Sequence, residues 1–415
     1  ARDAGVATQP FPQTPDDARA AVDGAALAID ALFGTGARLP IDASYAAALD
    51  VLDARERTVL AIDTPSGIDA DTGAVGERAT RASFTIALAA AKPGLLIDPG
   101  RERVGELYVA DIGIAPSILA GRARAYAALD DRAFLALLPK RSACGDKRAA
   151  GAPLLIAGSE QFPGAAALAS RAAGRAGSGY VTLATAASAA PIVRTHLLET
   201  VVVGISGDDG PKQAVEDLLD IAKRSSAIAI GPGLGLNERV GEIVRGIIER
   251  ATLPIVADAS ALFHLAKRLD IARGKRIVIT PHEGEFARLS GLGTIAPGQR
   301  VARLREFVDR TGITTLLKGR DTLIYDGTTM HVNVTGTHAL ATAGSGDVLT
   351  GIIASLLSQG LSPLDAARCG AYWHGLAGQV CERRRPVGTL AGDLPEALAD
   401  ALPREIESNG LTRLF

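Results

Sequence analysis

Near the carboxyl end, NVTGTHALATAGSGDVLTGIIASLLSQG (333–360) sets Gly344-Ser345-Gly346-Asp347 directly before a long apolar helical pattern. Small residues at a helix start let backbone N–H groups approach a ligand, and the unpaired donors with the helix dipole favour an anion. A carboxylate there opposes simple phosphate binding. It makes sense as a base taking a proton from a hydroxyl beside a transferred phosphoryl group. The plain alternative is an ordinary turn with Asp347 in the first turn of the helix.

Further candidates stand where aliphatic runs end. TPHEGEF (280–286) puts His282 and Glu285 at a strand's carboxyl end, where open α/β sheets place ligands. LLKGRDTLIYDG (316–327) puts Lys318, Gly319 and Thr322 just past another, where a cation and turn amides suit a nucleotide. IGPGLG (230–235) is a Gly-rich strand exit, and AGSEQFPGAAALASRAAGRAGSG (157–179) joins strand to helix through Gly164. Singly, each reads as a turn or a structural polar residue; together they argue for a site.

The elements that must position these residues follow an α/β pattern of short aliphatic runs alternating with helical stripes. In the first part, 26–33, 58–63 and 83–87 read as buried parallel strands, 41–56 as a helix and 116–141 as helical. The domain boundary falls in SACGDKRAAGAP (142–153) or just before it. A second series has strands at 153–158, 180–184, 226–231, 254–258, 276–280 and 313–319. Its helices lie at 164–177, 237–250 and 299–311, and others run from Gly346 onward. DTLIYDGTTMHV (321–332) predicts an antiparallel pair across a D-G turn at one edge.

Composition narrows the function classes. The 415 residues suit two or three domains, and 44 basic against 46 acidic residues give a net charge of −2, with no pull toward nucleic acid or membrane. Three widely spaced cysteines, Cys144, Cys369 and Cys381, argue against disulfide frameworks and zinc sites. No apolar run reaches membrane-span length and the opening residues do not read as a signal peptide, so a cytoplasmic protein is expected. The one methionine is Met330 and the chain opens on Ala1, which predicts a removed amino-terminal piece or a longer parent protein.

The order AGS…PGAA…RAGSGYVT, GPGLG, VADASAL, TPHEGE, LLKG and GTHALATAGSGDVLTGIIASLL resembles the ADP/ATP-dependent NAD(P)H-hydrate dehydratase domain of the ribokinase-like superfamily. Upstream, DALFGTGARLP (30–40), AIDTPSGIDADTG (61–73) and AAAKPGL (89–95) resemble the NAD(P)H-hydrate epimerase domain. The resemblance implies a partial Rossmann-like three-layer domain over 1–125 and a ribokinase-like α/β/α domain over 126–415. It implies hydrated NADH or NADPH as substrate, ADP or ATP as phosphoryl donor, Mg²⁺ and K⁺, and a homo-oligomer.

Carried over by motif, Asp347 is the implied base on the C6 hydroxyl, and Gly344, Ser345 and Gly346 form an anion hole. The resemblance likewise assigns Lys318, Gly319, Arg320, Asp321, Thr322 and Gly346 to the adenine nucleotide. It implies that Ala165, Gly235, His282 and Asp347 line the hydrate pocket and that Glu285 helps place Mg²⁺ or its water. In the first domain it assigns Asp30 and Ser66 to K⁺, and Gly34, Thr35, Gly36, Ala37, Arg38, Leu39 and Pro40 to the substrate phosphates. Asp63 is implied to serve substrate binding and proton transfer.

The sequence departs from the resemblance in lacking an N-N-G-G-D-G loop ahead of the epimerase motifs, so activity is expected from the second domain. Ala143-Cys144-Gly145, Ala343 and Asp258-Ala259-Ser260 also depart from the family's usual residues. The rival readings are a vitamin-precursor kinase built on the same G-S-G-D helix and a non-catalytic nucleotide-binding module.

Overall fold

The computed structural model describes residues 14–23, 25–53, 58–115, 126–141, 144–295, 298–403 and 411–413, together with 10, 117 and 118. The chain forms two compact units, residues 1–123 with 406–415, and residues 124–405. Expected features at 54–56, across most of 116–125 and at Ala143 lie outside the described residues.

In the first unit, β1 (Ala28–Asp30), β2 (Val59–Ile62), β3 (Phe84–Leu88) and β4 (Glu106–Ala110) pair in parallel in sequence order. The first three are the strands read from sequence. The helix Ala46–Leu52 buries Leu49, Val51 and Leu52, consistent with its apolar stripe. The chain's last strand, Leu411–Arg413, pairs antiparallel with β4, whereas the expected division kept residues 126–415 together.

The second unit is a ten-stranded sheet. Its strands are β5 (Tyr126–Ala127), β6 (Pro153–Ile156), β7 (Thr182–Ala186), β8 (Val201–Ile205), β9 (Ala227–Ile230), β10 (Ile255–Ala257), β11 (Ile277–Ile279), β12 (Thr314–Leu317), β13 (Leu323–Tyr325) and β14 (Met330–Val332). The spatial order is β5-β14-β13-β12-β11-β10-β9-β6-β7-β8, parallel from β8 to β12. β13 and β14 form the antiparallel pair expected around Asp326-Gly327. The segment 116–141, read as helical, contains the helix Asp131–Leu137 but also β5, which pairs with Met330 and His331. That pairing is made 200 residues away in the chain, so local periodicity does not register it.

β6, β9, β10 and β11 are buried along their whole length, as a parallel sheet covered on both faces requires. From β6 the chain winds outward through β7 and β8, then returns to β9 and winds the other way. The reversal lies between β6 and β9, the topological switch point where such sheets bind ligands at their carboxyl ends. The apolar helix Ser345–Ser358 packs against β6, β9 and β10 and against the helix Pro163–Arg175, carrying G-S-G-D to that region.

Candidate active site

The carboxyl ends of β10, β11 and β12 and the start of helix Ser345–Ser358 converge on the Lys318 ammonium. Its Nζ lies 2.9 Å from Asp258 Oδ1 and 3.8 Å from Glu285 Oε2. A Cβ built on Gly346 would stand 3.4 Å from that Nζ and 3.7 Å from Asp258 Oδ2, so the helix start abuts the pair. Burial pulls the Lys318 ammonium down, but Asp258, Glu285 and Asp347 more than offset it, and its pKa is raised. Lys318 is therefore a fixed cation.

Gly344 caps the helix in the left-handed region, with φ of 91°, which lets the chain turn sharply into it. The Ser345 N–H is spent on Thr342 O, and Val348 N–H is the first to return to Gly344 O. The N–H groups of Gly346 and Asp347, which fall between, meet no protein acceptor among the described residues. The Ser345 hydroxyl lies 3.1 Å from Nε2 of the buried His374, whose pKa burial lowers to about 4, so the ring is neutral at pH 7. Ser345 thus anchors the loop from behind, and the usable anion donors are those of its neighbours.

Asp347, in the helix's first turn, is pushed up to about 7, first by burial and then by the Asp258 charge, with Lys318 pulling the other way. A carboxyl near neutrality beside two free backbone donors can take a proton while an anion is held.

His282 and Glu285 cap the helix Glu283–Ser290 reciprocally. His282 Nδ1 accepts from Gly284 N–H at 3.1 Å and Glu285 Oε2 accepts from His282 N–H at 2.8 Å. The rest of the His282 ring is exposed, so capping and substrate contact are compatible. Gly235 N–H donates to Ser260 Oγ at 3.1 Å, and its carbonyl lies 3.3 Å from His264 Nε2. The same loop meets Ala165, whose Cβ would be 2.9 Å from one built on Gly233.

Of the residues assigned to the nucleotide, Gly319 and Arg320 are exposed, whereas Asp321 is buried against Arg300. Arg300 also reaches Glu283 at 3.0 Å and donates to Lys318 O at 3.1 Å. The Thr322 hydroxyl closes its own turn on Gly319 O at 2.8 Å. Asp321 and Thr322 shape the turn that presents Lys318, Gly319 and Arg320.

In the first unit, Asp30 is buried and accepts from Ser66 N–H at 2.8 Å and Ser66 Oγ at 2.7 Å. No basic side chain pairs with it among the described residues. Asp63 ends β2 at φ 71°, with Oδ1 receiving Lys92 Nζ and Leu88 N–H. A Cβ on Gly34 would stand 3.3 Å from its Oδ2, so the partly exposed Gly34–Pro40 loop begins beside that oxygen.

Thr350, Arg300, His374 and Lys92 were not singled out in the sequence, and Asp258 was named there only within a stretch that departs from the family's usual residues. Asp258 and Lys92 lie in quoted motifs, VADASAL and AAAKPGL, and their order beside strand ends was the available signal. Arg300 and His374 sit within helical patterns and carried none.

The sheet, its switch point and the G-S-G-D helix define the second unit as a ribokinase-like α/β domain. A ribokinase-like superfamily protein from Enterococcus faecalis superposes on it with a TM-score of 0.58 at 25% identity, over 67% of this chain and 97% of that one. A family model for NAD(P)H-hydrate dehydratase matches residues 153–403, and one for the YjeF-related protein N-terminus matches residues 2–94. The bifunctional NAD(P)H-hydrate repair enzyme of Moorella thermoacetica is 38% identical, over 90% of this chain and 72% of its own length. That of Pyrobaculum aerophilum is 35% identical, over 91% and 74%. The chain belongs to the bifunctional NAD(P)H-hydrate repair enzyme family. Among solved structures, the ADP/ATP-dependent NAD(P)H-hydrate dehydratase from Bacillus subtilis, co-crystallized with ATP and Mg²⁺, gives a TM-score of 0.57 at 30% identity, over 68% of this chain and 98% of that one. Among the described residues no helix is long and apolar enough to cross a membrane.

Two outcomes follow for stability. Asp321→Ala removes the buried carboxylate from Arg300, which keeps Glu283 and the Lys318 carbonyl, and is expected to cost about 1–3 kcal/mol in urea unfolding; an unchanged midpoint contradicts the buried pair. For Asp347 the folded pKa lies above the unfolded value of about 4. Below pH ~4 the group is protonated in both states and costs nothing; above pH ~7 the folded protein bears the full cost of the buried charge. Asp347→Asn should therefore raise the unfolding midpoint at pH 8 and leave it little changed at pH 4. Equal shifts at both pH values contradict this.

Proposed function

We propose that the second unit dehydrates the S epimer of hydrated NADH and NADPH in a reaction driven by ADP or ATP. The observation that carries this reading is Asp347: a carboxyl near neutrality, beside two free helix-start N–H groups and within the field of Lys318. Hydroxide is a poor leaving group from C6 of the reduced ring. Asp347 takes the proton of the C6 hydroxyl, and that oxygen attacks the terminal phosphoryl group of the nucleotide. The nucleotide, shortened by one phosphate, departs. The ring nitrogen lone pair then expels phosphate from C6, and loss of a C5 proton restores the C5=C6 double bond. The Gly346 and Asp347 N–H groups and Lys318 stabilise negative charge on the moving phosphoryl group.

Gly319 and Arg320, on the exposed turn after β12, suit the nucleotide, with Asp321 and Thr322 holding the turn. His282, Gly235 and Ala165 border the hydrate pocket. No group of three metal-ligating side chains occurs among the described residues, so Mg²⁺ fits here only with nucleotide phosphates, steadied by Glu285. Bound so, Mg²⁺ supplies charge neutralisation.

In the first unit, Asp30, buried and with no basic side chain paired to it among the described residues, suits K⁺ together with Ser66. Asp63, with one oxygen pinned by Lys92 and the other facing Gly34, suits acid–base work on the same C6 hydroxyl. A cytoplasmic, homo-oligomeric protein fits this chemistry.

The test is incubation of the S hydrate with ADP or ATP and Mg²⁺, read as recovery of the reduced nicotinamide absorbance. The native chain should restore it, and Asp347→Asn should lose about 10²–10⁴-fold in turnover with nucleotide binding intact. No recovery by the native chain sinks the proposal. With a mixture of epimers, the R hydrate should outlast the S form unless the first unit epimerises it.

A further inference from the structure

Asp258 is the least exposed of the three carboxylates around Lys318, at 2%. It follows β10, and the next residue, Ala259, sits at φ 50°, a conformation non-glycine residues rarely adopt. Such strain persists where the surroundings over-determine it. The surroundings do so here: Asp258 N–H donates to Ile230 O at 3.1 Å, and its carbonyl accepts from Ala261 N–H at 3.0 Å. The β9 exit lies against the same carbonyl, since a Cβ on Gly231 would fall 1.8 Å from Asp258 O.

The side chain held this way joins two elements. Oδ1 accepts from Lys318 Nζ at 2.9 Å, on the turn after β12. Oδ2 accepts from the Thr350 hydroxyl at 2.8 Å, on the helix that carries Asp347. Thr350 is three residues beyond Asp347, close to the same helix face. One buried carboxylate therefore fixes both the cation and the helix bearing the base. Without it, the nearest anions for the Lys318 ammonium are Glu285 and Asp347 itself. An ammonium drawn onto Asp347 would hold that carboxylate as an ion pair and weaken it as a base.

We propose that Asp258 is a positioning residue that keeps the Lys318 ammonium off the base Asp347 and locks the spacing of the two. The inference rests on the dehydratase reading and deepens it: Asp258, almost wholly buried, acts through Lys318 and Thr350.

The test is steady-state kinetics of full-length Asp258→Asn and Thr350→Val with the S hydrate and ADP or ATP, each variant checked for folding by circular dichroism. Asp258→Asn should lower kcat at least tenfold while KM for the nucleotide stays within about threefold, because the exposed Gly319–Arg320 turn that suits the nucleotide is unchanged. Thr350→Val releases the helix side alone and should lower kcat less, also with KM kept. A folded Asp258→Asn protein with native kcat overturns the proposal, as does a rise in nucleotide KM at unchanged kcat. Should Asp258→Asn not fold, Thr350→Val decides, and native kcat there overturns the proposal equally. Native enzyme without turnover in the same assay would sink the dehydratase reading instead.

Discussion

The second unit depends on one half-buried ammonium held at the edge of a sheet. Lys318 is ringed by Asp258, Glu285 and Asp347, contributed by three other segments of the chain. A buried cation with a single carboxylate would be nearly self-satisfied. With three it leaves negative charge over; burial first, and then the Asp258 charge, push the Asp347 pKa up to about 7. The switch point between β6 and β9 opens the crevice, and the helix Ser345–Ser358 brings backbone donors and the base to its edge.

Supporting contacts make this arrangement rigid rather than merely close. Arg300 ties Glu283, Asp321 and the Lys318 carbonyl together, so the start of helix Glu283–Ser290 and the turn after β12 are fixed as one piece. The His282–Glu285 capping box aims the Glu285 carboxylate toward that turn. Neutral His374 holds Ser345 from the far side, leaving the anion-facing edge of the loop to backbone N–H groups. A site for phosphoryl transfer needs little covalent chemistry from the protein, so positioning of this kind is the larger part of its work.

Much of this was legible in the sequence because the motifs follow strands in chain order. L-K-G after β12 and T-P-H-E-G-E after β11 each announced a strand end, G-S-G-D announced a helix start, and all three converge on Lys318. Long-range pairing was not legible. Asp258 is 60 residues from Lys318 and 92 from Thr350, and no local pattern distinguishes it from a strand cap. Asp321, which the resemblance assigns to the nucleotide, is buried against Arg300, 21 residues away in the chain, and no local pattern announces that pairing. Tyr126–Ala127 reads as helix because its strand character comes only from pairing with β14. In the first unit, residues named through the resemblance lie together, Asp30 with Ser66 and Asp63 beside Gly34, while Lys92 escaped notice as part of a loop.

The most direct test of this account is the titration of Asp347 in the unliganded protein, followed by carboxyl ¹³C chemical shift and assigned by its loss in Asp347→Asn. A midpoint near 7 is the predicted result. A midpoint near 4, the value of an ordinary aspartate, would mean that burial and the Asp258 charge do not govern this carboxyl, and would contradict its role as the base.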